Sequence, residues 1–170
     1  MAATPVVQTK RLRLRRYSES EAHLLVNLLG DAVTMQHWPE PLTTEQARAW
    51  HQRALDAYAI PGLGRMAVEL VDGTYIGDAG IVRAQILDRT ENDLGYIIDK
   101  AFWRSGYGFE AALACFGYGR GEGQQRIVAN MAADNFGSVR VAQRLGFTLE
   151  QRFRNPRNRD KETLLYAWQV

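Results

Sequence analysis

Between residues 10 and 15 the chain reads Lys-Arg-Leu-Arg-Leu-Arg. This alternation has the two-residue period of a half-buried strand, with its arginines on the wet face. The cap and first-turn signals Ser18-Glu19-Ser20-Glu21 then lead into a helix over 22–29, ended by Gly30. Thr43 or Thr44, with Glu45 and Gln46, caps a second helix running to about Tyr58, and Pro61-Gly62-Leu63-Gly64 closes it. Strand-like runs at 65–71 and 75–82 are joined by the hairpin signal Asp72-Gly73-Thr74. The polar stretch 83–92 reads as a turn into a strand at 93–99. A long apolar helix at 107–118 carries Phe109, Ala112, Leu113 and Phe116 on one stripe, with Ala111, Ala114 and Cys115 alongside. So apolar a helix is expected to be sandwiched against a sheet. A strand at 125–131 precedes a short helix opened by Asp134-Asn135, with Val139, Ala142 and Leu145 inward and Gly146 as its stop. Strands at 147–153 and 162–168 flank a basic, solvated loop at 154–161. The order β α α β β β α β α β β is that of a mixed α/β (α+β) domain. All 170 residues fit one such domain, with 1–8 a loose tail.

Composition narrows the class without naming the chemistry. A hydrophobic fraction of 46% and a charged fraction of 24% are those of an ordinary globular protein. Net charge is +2, too mild for an obligatory nucleic-acid partner. No apolar run reaches the length of a membrane span. One cysteine, Cys115, excludes an intrachain disulfide and suits a reducing cytoplasm, the expected location. The histidines at 23, 37 and 51 are scattered and predict no metal site.

The chemistry-bearing stretch is Trp103-Arg104-Ser105-Gly106-Tyr107-Gly108-Phe109-Glu110-Ala111, lying between a strand and the long helix. Glycine tolerates φ > 0 and close backbone approach, and a helix N-terminus offers unpaired N–H groups at its positive end. Strand, glycine turn and helix therefore predict a diphosphate cradle. Gly106-x-Gly108-x-x-Ala111 also fits a dinucleotide fingerprint. A Rossmann unit, however, places its glycines directly after the first strand and repeats βαβ, which this chain does not.

Taken with Gly95-Tyr96, the stretch resembles the acyl-CoA motif of the GNAT acetyltransferase superfamily, and more closely its Rim-type branch, which acetylates ribosomal-protein N-termini. Asn135-x-x-Ser138 with Leu145-Gly146-Phe147, Thr9 through Arg15, and Ile76-Gly77-x-x-Gly80 are similar to that branch's other motifs, in the same order. The resemblance implies a central twisted, mostly antiparallel sheet of about seven strands, helices on both faces, and a parallel pair near 93–99 and 125–131 that splays apart. Acetyl-CoA would lie in the gap, its pantetheine arm adding to the strand edge at Ile97, Ile98 and Asp99. Its diphosphate would sit on Arg104, Ser105, Gly106, Tyr107, Gly108 and Phe109, with Asn135 and Ser138 as further contacts.

Such proteins transfer acetyl directly to an amine, and Cys115, mid-helix on an apolar face, reads as a packed thiol rather than a nucleophile. An α-amine titrates near 7.8 and a lysine near 10.4, so a lysine costs about 3.5 kcal/mol more to present neutral. A carboxylate is base enough for the α-amine. The family's usual place for it is Asp93, with Glu91 two residues earlier on the same side. Many members protonate the leaving thiolate with a tyrosine where this chain has Ala142, which leaves Ser138 as the nearest motif hydroxyl. His37, Trp38, Trp50 and Tyr75 are the expected acceptor-binding residues. The resemblance implies transfer to a protein or peptide N-terminal α-amine; a small-molecule amine acetyltransferase, an NAD-binding oxidoreductase and a non-catalytic acyl-CoA-binding module are the alternatives. A homodimer through the C-terminal strands is left open.

Overall fold

In a computed structural model, residues 4–170 are described. The loose tail expected for 1–8 falls outside them at 1–3. Within them, β1 (Val7–Gln8) already pairs antiparallel with β2 (Leu12–Arg15). Two helices follow, α1 (Ala22–Leu29) and α2 (Thr44–Ala57). Both boundaries follow from local chemistry. Gly30 caps the first, and Thr43 and Gln46 form a reciprocal capping box at the start of the second. Three antiparallel strands come next, β3 (Gly64–Leu70), β4 (Tyr75–Ile86) and β5 (Arg89–Ile98). They lead to α3 (Tyr107–Gly121), β6 (Arg126–Ala132), α4 (Phe136–Arg144), β7 (Thr148–Asn155) and β8 (Lys161–Gln169).

The eight strands form one sheet in the order β1-β2-β3-β4-β5-β6-β8-β7, with β7 outermost. Every pair is antiparallel except β5 with β6, which meet only where Asp93 faces Val128. Beyond that contact they diverge, so the edge of β5 from Leu94 to Ile98 faces the gap without a strand partner there. Apolar cores cover both faces. Leu12, Leu14, Val68, Ile81 and Ile127 pack with Ala112, Cys115 and Phe116 of α3, while Leu25, Leu29, Met35 and Ala47 of the first half cluster with Ala67 and Ile97.

Three expectations are corrected. The stretch 83–92 is not a polar turn: β4 runs to Ile86 and β5 starts at Arg89, so the two form a long hairpin about Leu87-Asp88. The arginines of β2 do not all face water, since Arg15 is buried between Glu69 and Glu21. On α3 the buried stripe runs through Ala111, Ala112, Cys115 and Phe116, leaving Leu113 49% exposed. The small residues let the helix lie close on the sheet. Among the described residues, no helix is long and apolar enough to cross a membrane.

Candidate active site

The glycine turn takes the predicted shape. Gly106 adopts φ +81° as the N-cap of α3, and Arg104 sits at φ +61° two residues earlier. Glu110 N donates to Gly106 O, so the amides of Tyr107, Gly108 and Phe109 precede the helical ladder and stay free to donate. Arg11 clamps the turn from outside. Its guanidinium pairs with Glu110 at 2.6 Å, donates to Ser105 O at 2.8 Å and stacks on the Tyr107 ring. A Cβ on Gly108 would press the Tyr96 ring at 3.0 Å, so glycine there permits close helix–strand contact. The turn opens onto a groove of about 640 Å³, lined by Ile97, Ile98, Arg104, Gly106, Tyr107, Gly108 and Phe109 on one wall and Asn135, Ser138, Arg140 and Arg144 on the other. Cationic walls, free amides and a splayed strand edge fit an elongated, phosphate-bearing ligand.

Two of the expected groove residues, Asp99 and Ser105, are not on its lining. The Asp99 carboxylate accepts from Ala101 N and caps the following turn, and its own amide donates to Ile76 O in β4. Ser105 is exposed, and its carbonyl serves the Arg11 clamp.

A second cavity of about 670 Å³ continues from the groove, sharing His37, Trp38, Tyr96, Asn135 and Ser138 with it. At this junction Tyr96 Oη donates to Ser138 Oγ at 3.2 Å, and Asn135 Oδ1 caps α4 by accepting from Ser138 N at 3.3 Å. Burial raises the Tyr96 hydroxyl above its ordinary value, so it stays protonated. Ala142, buried on the wall beyond, brings no hydroxyl. Trp38 and Trp50 meet edge to face, ring centroids 5.5 Å apart, and form the aromatic side of the cavity. His37 stands beside them, its basicity lowered by burial.

Asp93 lines the cavity floor. Its Oδ2 accepts from Asn130 Nδ2 at 3.0 Å, while Oδ1 is buried without a partner. Desolvation raises this carboxyl from 3.8 to about 7, against the opposing pull of the Asn130 hydrogen bond and the Arg65 charge. Glu91 does not join it: its carboxylate is held bidentately by Arg126, both contacts at 2.9 Å, outside the cavity. Tyr75 is likewise absent from the lining, because its hydroxyl meets that of Tyr17 at 3.1 Å beneath the floor. Cys115 is 1% exposed, and burial pushes its thiol up to about 12, as suits a packed side chain. No cluster of three metal-binding side chains occurs among the described residues.

Sequence reasoning passed over a buried charge cluster behind the cavity wall. Asp78 is fully buried and accepts from Arg65 Nε at 2.6 Å, Tyr17 Oη at 3.0 Å and Trp50 Nε1 at 3.3 Å. Arg65 crosses the sheet from Asp78 toward Asp93, packed under the Trp50 ring. The available signal was a charged residue inside each of two apolar runs, Gly-Arg-Met-Ala-Val and Ile-Gly-Asp-Ala-Gly-Ile. Buried charges of that kind demand partners.

Residues 11–148 match a family described as "Acetyltransferase (GNAT) domain". An uncharacterized protein of Bacillus subtilis (strain 168), YkkB, is 32% identical over 151 residues, which cover 86% of this chain and 87% of that protein. Among solved structures, the acetyltransferase from Agrobacterium tumefaciens str. C58 superposes with a TM-score of 0.80 at 22% identity, covering 100% of this chain and 97% of that one. RimL, a ribosomal α-N-protein acetyltransferase in complex with coenzyme A, gives a TM-score of 0.77 at 20% identity over 99% of this chain and 98% of its own. At such identities the structural likeness is one of fold.

Proposed function

The chain belongs to the GNAT acetyltransferase family, and from that premise we propose that it transfers acetyl from acetyl-CoA directly to a primary α-amine, without an acyl-enzyme. Bound acetyl-CoA supplies the activated thioester. The amides of Tyr107, Gly108 and Phe109 would hold its diphosphate, with Arg104, Arg140 and Arg144 as the cationic surround. The single observation that carries the reading is the junction itself, where a phosphate-suited groove and a cavity holding a basic carboxylate meet at Tyr96 and Ser138.

Asp93 is the base in this reading. With the carboxyl at about 7, taking a proton from an α-ammonium near 7.8 costs about 1 kcal/mol, and from a lysine near 10.4 about 5 kcal/mol. The α-amine is therefore the matched acceptor. The hydroxyl pair of Tyr96 and Ser138 would give the leaving sulfur its proton, in place of the side chain that Ala142 lacks. His37, Trp38 and Trp50 hold the acceptor's flank. A peptide N-terminus, the Rim-type acceptor, draws support from the sequence motifs around Thr9–Arg15 and Asn135–Ser138. A free small amine draws it from the cavity's modest volume of about 670 Å³.

The test is release of coenzyme A thiol from acetyl-CoA in the presence of an amine panel, beside thermal shifts with acetyl-CoA and with NAD. Stabilisation by acetyl-CoA and amine-dependent thiol release are expected. Binding without release under every amine would make this an acyl-CoA-binding module, and stabilisation by NAD alone would return the oxidoreductase.

A further inference from the structure

We infer that the acceptor is an amine carrying a carboxylate close to its nitrogen, the amine directed to Asp93 and the carboxylate to the guanidinium of Arg65. This rests on the α-amine reading above and names the acceptor class within it.

Among the described residues, three buried side-chain polar atoms lack a hydrogen-bond partner: Arg65 Nη2, Asp93 Oδ1 and Asn158 Oδ1. All three belong to residues that line the acceptor cavity. Buried polar groups are ordinarily satisfied, and leaving a charged one unpaired is costly. One cationic donor and two acceptors, carried by residues on the walls of one cavity, are the complement of a zwitterion, which brings a carboxylate and an ammonium together. Arg65 is 5% exposed and fixed at Nε by Asp78, so its free Nη2 is aimed rather than mobile. Its Nη1 fills the space where a Cβ on Gly95 would stand, and Gly95 lies two residues along the same strand face from Asp93. The two functional groups thus flank one glycine. Asn158 donates through Nδ2 to His37 O at 3.2 Å, which leaves its oxygen as the unpartnered atom on the cavity wall.

The charge of the walls agrees. Besides Arg65, whose charge is shared with Asp78 behind the wall, Arg53, Arg83 and Arg157 line the cavity against two acids, Asp56 and Asp93. A polycationic acceptor would enter a field of its own sign, and an anionic one is drawn in. Pairing with Arg65 also serves the chemistry, because a carboxylate left bare beside an ammonium holds the proton more firmly on nitrogen. Two sources share this chemistry: a free amino acid, and a peptide whose first residue is Asp or Glu.

Initial rates of thiol release separate the cases, using free amino acids, their amides, short peptides with acidic or neutral first residues, and spermidine. The acid form is expected to show a KM at least about tenfold below its amide, the range of a charge-assisted hydrogen bond, with spermidine poorest. Preference among free acids and acidic peptides identifies the source. Arg65→Lys keeps a positive charge beside Asp78 but removes Nη2. It should raise KM for the acid, leave that of the amide and leave the acetyl-CoA affinity. Equal use of acid and amide by the wild-type protein, or spermidine as the best acceptor, overturns the inference while the transferase reading stands. Thiol release by none of the amines removes both.

Discussion

Replacing Asp93 with Asn should make the protein more stable and less active, and the two effects should carry the same pH signature. The carboxyl is raised from 3.8 to about 7 in the folded chain because its charge is desolvated. Since the folded value lies above the unfolded one, the folded state holds the proton more tightly. The cost of the charge is absent below pH 4 and accumulates as pH rises to 7. A shift of about 3 units corresponds to about 4 kcal/mol at pH 8, of which about 1.7 kcal/mol is already present at pH 5. Asn keeps the contact to Asn130 and carries no charge. Urea unfolding of the variant should therefore show a stability gain that grows by up to about 2.5 kcal/mol between pH 5 and 8. Over the same range kcat of the wild type should rise as the base ionises, while that of the variant stays low and the acetyl-CoA Kd is unchanged. A stability difference that is flat with pH, or a kcat equal to wild type, would refute the assignment of this carboxyl as a desolvated base.

Three further outcomes follow from the geometry. Gly106→Val places a β-branched residue at φ +81°, at a cost of about 1–3 kcal/mol, and should abolish the thermal shift given by acetyl-CoA; a retained shift means the diphosphate lies elsewhere. Arg126→Ala strands Glu91, whose side chain is 6% exposed, and should lower stability by about 3 kcal/mol, whereas Glu91→Gln should leave kcat near wild type; a collapse of kcat in the latter would bring Glu91 into the chemistry. Cys115 should resist iodoacetamide in the folded protein and react only on unfolding, since its thiol is pushed up to about 12; alkylation that halts transfer in the folded state would restore a nucleophile there.

What was legible in the sequence was what local chemistry decides. The residues 22–29, with acids before them and glycine after, became α1 at those bounds, and the Thr43–Gln46 box began α2 where its spacing placed it. The cradle at Gly106 was legible because only a residue without a Cβ enters that backbone region at ease. What escaped was set by neighbours distant in sequence. Arg15 looks like its companions in β2, and only Glu69 from β3 and Glu21 from the turn before α1 make it a buried ion-pair partner. The β4–β5 hairpin was hidden by its turn: Leu87 holds φ +55° where a glycine or asparagine would have announced it. The faint alternation of Val82, Ala84 and Ile86 with Arg83 and Gln85 was present but weak. Glu91 and Asp93 sit on one face of β5, yet the register with β6 gives one to Arg126 and the other to the cavity.

The same register places glycines beside Arg65, one of them, Gly95, on the wall of the second cavity. Arg65 of β3 faces Gly80 of β4, and Gly80 faces Gly95 of β5, so two positions in one row across three strands carry no side chain. A Cβ on Gly80 would strike the β3 main chain at Gly64 O and at Arg65 Cα, whereas one on Gly95 would collide with the guanidinium. Gly80 thus lets β3 and β4 approach closely, and Gly95 leaves the lane in which the Arg65 guanidinium lies, tied to Asp78 through Nε. If Arg65 binds the acceptor as inferred above, Gly95→Ala is a change in acceptor recognition. The new methyl displaces Arg65 Nη1 while the glycine turn at Gly106 is untouched. The expected result is a raised acceptor KM with an unchanged acetyl-CoA Kd, the reverse of the Gly106→Val pattern. If Gly95→Ala instead weakened acetyl-CoA and spared the acceptor, the lane would serve the groove, and Arg65 would lose its place in binding the amine's partner group.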